Sequence, residues 1–510
     1  MEKNSRPVAV VEIGSTGIRL IVAEIFGNGK WQVLDRIGKP VALGRDVFNS
    51  GLVTRESLLE CLSVLRNYRE FLVGWSIADR DIHVIATSAL RVAKNRDMFA
   101  DRVYQETGFN MTIVEGIEEN RLMYLAVRFA LKNDLPLFWK ANSMILEMGG
   151  GSTEIMLLRR GQMVSAHSLR LGTILIDQAV KYSSSWMQER YLMESLRTTS
   201  VLLNSEMELE HIRTFVVAGS DARITASQIG KELNENCSVI PRDAFLSFVS
   251  QVENYSVEDC MQKLQINFAE AKFFIPGILV YRFLLEKTGA AHVVVPFVSI
   301  REGILIDLAL GIDSSLQEDF NSQTIASAAN LGRKYHYDES HHRHVANLCL
   351  VLFDSLIREH GMNKRERLML EVAAMLHDIG MFIHASGHQL HGQYIVTNSE
   401  IFGLHRGELE LIANVIRYHR RDSPNQADIS YIALQREERI LVLKMAAILR
   451  VADALDRGHS RQIRKITIER KSETLILHAE GNPDLSIEQI GLEEKANMFQ
   501  DVFGYKIILN

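Results

Sequence analysis

The sequence predicts an α/β protein whose front part is two lobes built on a duplicated core, followed by an all-helical segment and a small α/β tail. Three observations carry this. An apolar strand-like run, an acidic residue, a glycine turn and a second strand occur near the N-terminus and return at a constant offset, 147 − 12 = 135. Strand patterns stop near Ser314 and give way to helix-period segments rich in histidine. Strand signals resume near Ile463. At 510 residues the chain also exceeds what one hydrophobic core supports, so several domains are expected.

The elements follow in order. Val8 to Ile13 is continuously apolar and ends in Gly14-Ser15, which reads as a buried strand entering a tight turn. Ile18 to Ile25 and Trp31 to Ile37 read as strands joined across Gly27-Asn28-Gly29, a hairpin signal. A helix is expected over about Arg55 to Val73, then strands at Ile82 to Ala86 and Met111 to Val114, then a helix over Ile117 to Leu131. The same grammar returns with Ser143 to Met148, the turn Gly149-Gly150-Gly151, the strand Thr153 to Arg160, a hairpin at Gly161-Gln162 and the strand Met163 to Leu171. Glu12 falls on Glu147, and Leu20-Ile21-Val22 on Ile155-Met156-Leu157, which argues for two lobes with a duplicated core. Thr214 to Ala218 before Gly219-Ser220 and Ala291 to Val298 before Arg301-Glu302-Gly303 add two further buried strands. In the tail, strands are expected at Lys465 to Arg470, Thr474 to His478 and Tyr505 to Leu509, with a helix near Leu492.

Composition narrows the function. With 57 basic and 63 acidic residues the net charge is −6, so a polyanion site must be a local concentration of Arg, Lys and backbone N–H groups. Cys61, Cys237, Cys260 and Cys349 are far apart and read as reduced thiols, with no zinc or disulfide framework. Residues 1–7 lack a signal-peptide apolar region, and no stretch approaches the roughly 20 apolar residues that span a bilayer, so a cytoplasmic location is expected.

A glycine turn after a buried strand lets backbone N–H groups approach an anion with no Cβ in the way. Gly14-Ser15-Thr16, Gly149-Gly150-Gly151-Ser152-Thr153 and Gly219-Ser220 could converge on one phosphate chain between facing lobes. Glu12 and Glu147, just before two of these turns, sit where a Mg²⁺ ion bridging the phosphates would find oxygen ligands.

The runs Val10-Val11-Glu12-Ile13-Gly14-Ser15, Ala86-Thr87-Ser88-Ala89-Leu90-Arg91, Glu118-Glu119-Asn120-Arg121-Leu122, Leu146-Glu147-Met148-Gly149-Gly150-Gly151-Ser152-Thr153-Glu154 and Arg301-Glu302-Gly303 together resemble the exopolyphosphatase/guanosine pentaphosphate phosphohydrolase family. They stand in family order and span about the first 310 residues. The resemblance implies the actin and sugar-kinase fold, two lobes of duplicated ribonuclease H-like domains. It implies Glu119 as the catalytic carboxylate that directs water, Arg91 and Arg301 as phosphate-binding residues beside the glycine turns, and Glu154 as a further metal-shell acid with Glu12 and Glu147. Phosphoryl transfer is largely positioning and charge stabilisation, which suits such a set.

Three departures stand against the family pattern. Glu12 and Glu147 replace the usual Asp, Thr16 stands near a usual Asn, and Gly219-Ser220 runs into Asp221-Ala222-Arg223. Each Glu extends the carboxylate by one methylene. Asp221 would repel a polyanion unless it binds metal or pairs with Arg223.

The histidine-rich part resembles the HD superfamily of metal-dependent phosphohydrolases. Its elements stand in order: His341 with Val345, His377-Asp378 in Met375 to Gly380, His391, His419 in Arg417 to Arg420, and Asp453 in Leu449 to Leu455. The resemblance implies these six residues as ligands of a second divalent metal. His384, His388 and His405 read as surface or capping histidines. Asp453 supports the metal reading independently, because it sits in a strongly apolar helix where a lone carboxylate is costly.

The expected organisation is lobe I over 1–127, lobe II over 128–312, the HD-like helices over 313–460 and the tail over 461–510. The expected activity is release of orthophosphate from inorganic polyphosphate or guanosine pentaphosphate, with Mg²⁺ in the interlobe cleft. No nucleic acid or membrane partner is expected, and the family resemblance implies a homodimer. The alternatives are an HD-type nucleotide phosphohydrolase using the His/Asp cluster, and a catalytically weakened polyphosphate or alarmone sensor.

Overall fold

Val8, Ala9, Val10 and Val11 are all fully buried, which is why this stretch reads as an unbroken apolar run rather than an alternating one. It is the centre of the first sheet in the computed structural model, which describes residues 5–26, 30–131, 140–180, 185–310, 314–420, 423–425, 427–481 and 485–510. The Gly27-Asn28-Gly29 turn and the expected 312/313 boundary lie outside the described residues.

The first sheet has five strands: β1 (Ser5–Ile13), β2 (Gly17–Phe26), β3 (Trp31–Pro40), β4 (Ile82–Ala86) and β5 (Met111–Ile113). Their order is β3-β2-β1-β4-β5. The second sheet contains β6 (Ser143–Met148), β7 (Thr153–Arg159), β8 (Gln162–Leu169), β9 (Thr214–Ala218), β10 (Lys231–Asn234), β11 (Cys237–Pro241) and β12 (His292–Pro296). Its order, β10-β11-β12-β9-β6-β7-β8, repeats the first when β6, β7, β8, β9 and β12 stand for β1 to β5.

The register repeats too. Ile13 lies opposite Ile18 in one hairpin and Met148 opposite Thr153 in the other, and the offset of 135 maps each pair onto its counterpart. The duplicated two-lobed core is therefore present strand by strand. Strands β10 and β11 were not anticipated: β10 is a polar edge strand and β11 ends in Pro241, so neither shows a sustained period.

The chain forms two compact units, Met1–Phe320 and Asn321–Asn510, with the division inside the helix Ser314–Lys334. Both sheets belong to the first unit. In the second, the helices Glu339–Ser355, Lys364–Leu376, His388–Thr397, Arg406–Arg417 and Arg436–Ala454 share a core with a three-stranded sheet. That sheet is β13 (Ile463–Lys471), β14 (Thr474–Gly481) and β15 (Lys506–Leu509). Ile463, Leu475 and Leu477 pack into the same cluster as Leu449 and Val451, so the tail is continuous with the helices.

All four cysteines are free and buried, as expected of reduced core thiols. No described helix is long and apolar enough to cross a membrane.

Phe274 lies fully buried in the core of the second sheet. Phe274→Ala should cost the first unit about 3–5 kcal/mol in urea denaturation. Met98→Ala, at an exposed helical position, should stay within about 0.5 kcal/mol.

Candidate active site

The equivalent turns of the two lobes meet. The Gly44 N–H donates to the Ser15 carbonyl at 2.8 Å and the Ile174 N–H to the Gly150 carbonyl at 2.9 Å. A Cβ on Gly150 would stand 3.0 Å from the Ser15 Cβ and 2.9 Å from Ile174 Cδ1, so this approach needs glycine. The third turn is held by Gly219 at φ +119°, with the Met148 carbonyl 3.2 Å from where its Cβ would be. Together the three turns line a cavity of about 700 Å³.

Most residues expected there line it: Gly14, Ser15 and Thr16 from the first turn, Gly149, Gly150 and Ser152 from the second, and Gly219 and Ser220 from the third. Glu12, Glu119, Glu147, Glu154 and Arg301 also face it. Gly151, Thr153 and Arg91, expected as phosphate contacts, are not among its lining residues. Gly151 packs against Phe48 and Ser88. Thr153 is fully buried and its hydroxyl donates to the Leu171 carbonyl. Arg91 Nη1 donates to the Val114 carbonyl at 2.7 Å and to Glu119 Oε1 at 2.8 Å, so its guanidinium steadies Glu119.

Sheet register explains the carboxylates. Across β6 and β7, Glu147 lies directly opposite Glu154, and across β7 and β8, Glu154 lies opposite Ser168. Like charges set opposite one another repel, and burial strengthens the effect. Burial, then the charges of Glu119 and Glu12, push Glu147 up to about 8, although it keeps contact with solvent in the cleft. Burial and Glu147 push Glu154 up to about 7, while Ser168 Oγ donates to its Oε1 at 2.8 Å. Glu119 starts the helix Gly116–Leu131 and is 5% exposed; burial, then Glu154, raise it well above the usual carboxylate range, against the pull of Arg91. Glu119 and Glu154 are hydrogen-bonded to each other, so the pair retains a proton.

Three arginines supply the opposite sign, Arg19 from the first hairpin and Arg223 and Arg301 from later helices. In the first hairpin Arg19 lies opposite Glu12. Arg301 Nε stands 3.0 Å from Glu12 Oε2, and Arg19 Nη1 3.8 Å from Glu12 Oε1. Arg223 joins them, its guanidinium pushed down by burial and by Arg301 and Arg19. Sequence reading missed Arg19 and Arg223 as cleft cations. The hairpin register contained the signal for Arg19; nothing local marked Arg223 beyond its place after the third turn.

Asp221 also lines the cavity, as the sequence suggested, but in a form that weakens its repulsion of an anion. It is 5% exposed, fills the space beside Gly277, and is raised to about 8 by burial against a Ser220 hydrogen bond, so it is held neutral near pH 7.

The carboxylates Glu12, Glu147 and Glu154 form no group of converging donor atoms; among the described residues such groups all lie in the second unit. Glu154 is turned onto Ser168 and Glu119, away from a ligand role. Glu12 and Glu147 remain as hard oxygen donors that suit Mg²⁺ held mainly by water and phosphate oxygens.

In the second unit, His341, His377 and Asp453 form one group of donors and Asp378, His388 and His419 another. His388 corrects the expected set: its Nε2 lies 2.8 Å from Asp378 Oδ1, and it is 6% exposed. His391, one turn further along the same helix, belongs to neither group and is only partly buried. His342 and His459, also absent from the expected set, lie beside these donors.

The duplicated sheets and their glycine-lined cleft define a protein of actin-like fold. An exopolyphosphatase crystal structure from Cytophaga hutchinsonii matches at a TM-score of 0.53 and 18% identity, covering 60% of this chain and 98% of that one. The Ppx/GppA family member from Aquifex aeolicus matches at 0.50 and 22%, covering 61% and 99%. The chain belongs to the Ppx/GppA phosphatase family, whose model matches residues 21–311, with the Ppx/GppA phosphatase domain III model matching 324–496. Among its relatives, the guanosine-5'-triphosphate,3'-diphosphate pyrophosphatase of Pseudoalteromonas atlantica is 23% identical over 451 residues, covering 87% of this chain and 86% of its own. The protein of the same name from Pseudoalteromonas translucida is 22% identical over 516 residues, covering 98% of each.

The raised carboxyls set a pH dependence. An acid that binds its proton more tightly when folded contributes less stability as pH rises from its unfolded to its folded pKa. Without divalent cations, thermal stability should fall between about pH 4.5 and 8, the window set by Glu147. Glu147→Gln should flatten that fall in a series of melting curves.

Proposed function

We propose that the cleft hydrolyses the terminal phosphoanhydride bond of inorganic polyphosphate or guanosine pentaphosphate, releasing orthophosphate. The observation that carries this reading is a buried carboxylate, Glu119, held by Arg91 at a cleft walled by glycine turns and by Arg19, Arg223 and Arg301. The names of the relatives, pyrophosphatases of guanosine-5'-triphosphate,3'-diphosphate, and of the Cytophaga hutchinsonii exopolyphosphatase support it.

In this mechanism the N–H groups of the three turns and the hydroxyls of Ser15, Thr16, Ser152 and Ser220 bind the terminal phosphates. The three guanidiniums add charge and fix the direction of the chain. Glu12 and Glu147 would hold Mg²⁺, which supplies neutralisation of the phosphate oxygens. Glu119 orients a water molecule in line with the terminal phosphorus and accepts its proton. The new P–O bond forms as the bridging P–O bond breaks, and the shortened chain leaves with the bridging oxygen. Arg91 is a positioning residue that favours the ionised form of Glu119, and Glu154 disfavours it through charge. Polyphosphate and guanosine pentaphosphate share a linear phosphoanhydride end, so the turns accept both. A homodimer and a cytoplasmic setting complete the reading; light scattering that reports a monomer removes the first.

Glu119→Gln should lower kcat for orthophosphate release by about 10²–10⁴ with a small change in KM. Because Glu119 accepts a proton only when ionised, kcat should rise with pH. Arg91→Met should shift that rising limb to higher pH, since the charge that favours ionisation is gone. Unchanged release in Glu119→Gln, with loss in Asp378→Ala, would transfer the chemistry to the histidine cluster. Tight binding of phosphate chains with no turnover under any divalent metal would favour a sensor.

A further inference from the structure

We infer that Ser168 is a positioning residue for hydrolysis in the cleft: it fixes Glu119 by way of Glu154 while itself standing behind the cavity wall. The inference rests on the reading of Glu119 as the carboxylate that directs water. Glu119 and Glu154 line the cavity, and Ser168 is not among its lining residues. It therefore acts on the reaction only through the groups it touches, and these lead to Glu119 by two routes.

The first route runs through side chains. Glu147 on β6, Glu154 on β7 and Ser168 on β8 lie directly opposite one another across three neighbouring strands. Side chains opposed in this way share one face of the sheet, with Cβ atoms about 4.5–5.5 Å apart. Glu154 is thus set between a second carboxylate, which repels it, and a hydroxyl, which holds it. Ser168 Oγ donates to Glu154 Oε1 at 2.8 Å. Glu154 is in turn hydrogen-bonded to Glu119, whose Oε1 accepts from Arg91 Nη1 at 2.8 Å. Glutamate side chains are long and lose much rotamer freedom when held. A carboxyl in an open cleft keeps one place only when such a chain of contacts fixes it, and Ser168 is the end of this one that is anchored in the sheet.

The second route runs through the backbone. A Cβ on Gly116, the first residue of the helix Gly116–Leu131, would stand 2.2 Å from Ser168 Oγ and 2.3 Å from its Cβ. Only glycine lets that helix begin directly against the serine, one turn before Glu119. The duplicated lobe shows that the sheet itself does not require a hydroxyl at this place. The offset of 135 maps Glu154 onto Arg19, and the residue opposite Arg19 on β3 is Gly38, which has no side chain. The two lobes share the register and differ in this group, so the hydroxyl accompanies Glu154 and not the strand pairing.

The test is steady-state release of orthophosphate by the full chain from long inorganic polyphosphate and from guanosine pentaphosphate, with Mg²⁺. It compares the unsubstituted protein with Ser168→Ala, Glu154→Ala, the variant carrying both, and Glu119→Gln. On the better substrate, Ser168→Ala should lower kcat about tenfold and leave KM within about twofold. Added to Glu154→Ala, it should change kcat by less than about twofold, because the contact it acts through is already gone. A serine with a merely structural role would lower kcat by the same factor in both backgrounds. Unchanged kcat in Ser168→Ala, an effect confined to KM, or equal factors in the two backgrounds overturns the proposal. Full activity in Glu119→Gln overturns the reading of the cleft and the proposal with it. Loss in Glu119→Gln beside an unaffected Ser168→Ala overturns the proposal alone.

Discussion

Three carboxylates share one buried space in the first unit, and the arrangement around them follows from the repulsion that this creates. Strand register sets Glu147 opposite Glu154, and Glu119 comes against the same pair from the start of its helix. Burial and mutual charge keep protons on this group near neutral pH. The compensating elements are then legible as a set: Ser168 donating to Glu154, Arg91 reaching Glu119, and Arg223 and Arg301 lying close enough to favour an ionised Glu147. A site that gathers negative charge at this cost is suited to a cationic cofactor and to a reaction that begins by removing a proton from water.

The duplication is structural, but the two halves have diverged electrostatically. The residue opposite the turn-preceding acid is Arg19 in the first hairpin and Glu154 in the second. The first hairpin therefore carries an acid and a cation side by side, and the second carries two acids. The Glu12 carboxylate reaches Arg301 at 3.0 Å. Asp221, the residue that looked most hostile to an anion, lies at the cavity beside Gly277, with its carboxyl raised to about 8 by burial.

The second unit handles buried polarity differently. Its imidazoles are oriented from outside, each by a backbone or carboxylate oxygen on Nδ1, so that their Nε2 atoms converge on Asp378 and Asp453. The strand tail supports this from the other side: Lys495, in the helix Ser486–Lys495, supplies the ammonium on Asp453. This is a physical reason for the tail to share a core with the helices.

The sequence by itself determined the strands other than β10 and β11, the glycine turns, the duplication and the change to helices, because periodicity and turn chemistry are local and the offset of 135 can be read without a fold. It also located Glu119, Glu147, Arg301 and the His377-Asp378 pair. Tertiary structure decided where side chains point. Thr153 and Arg91 belong to the right motifs, yet one hydroxyl is turned onto the Leu171 carbonyl and the guanidinium onto Glu119. His388 and His391 stand three residues apart on one helix, so spacing places them on nearly the same face. Only the packing of that helix against the helix ending at Arg417 buries the first beside His419 and leaves the second outside. The convergence of Arg19, Arg223 and Arg301 likewise comes from three distant stretches of chain, and long-range packing is what brings such groups into one field.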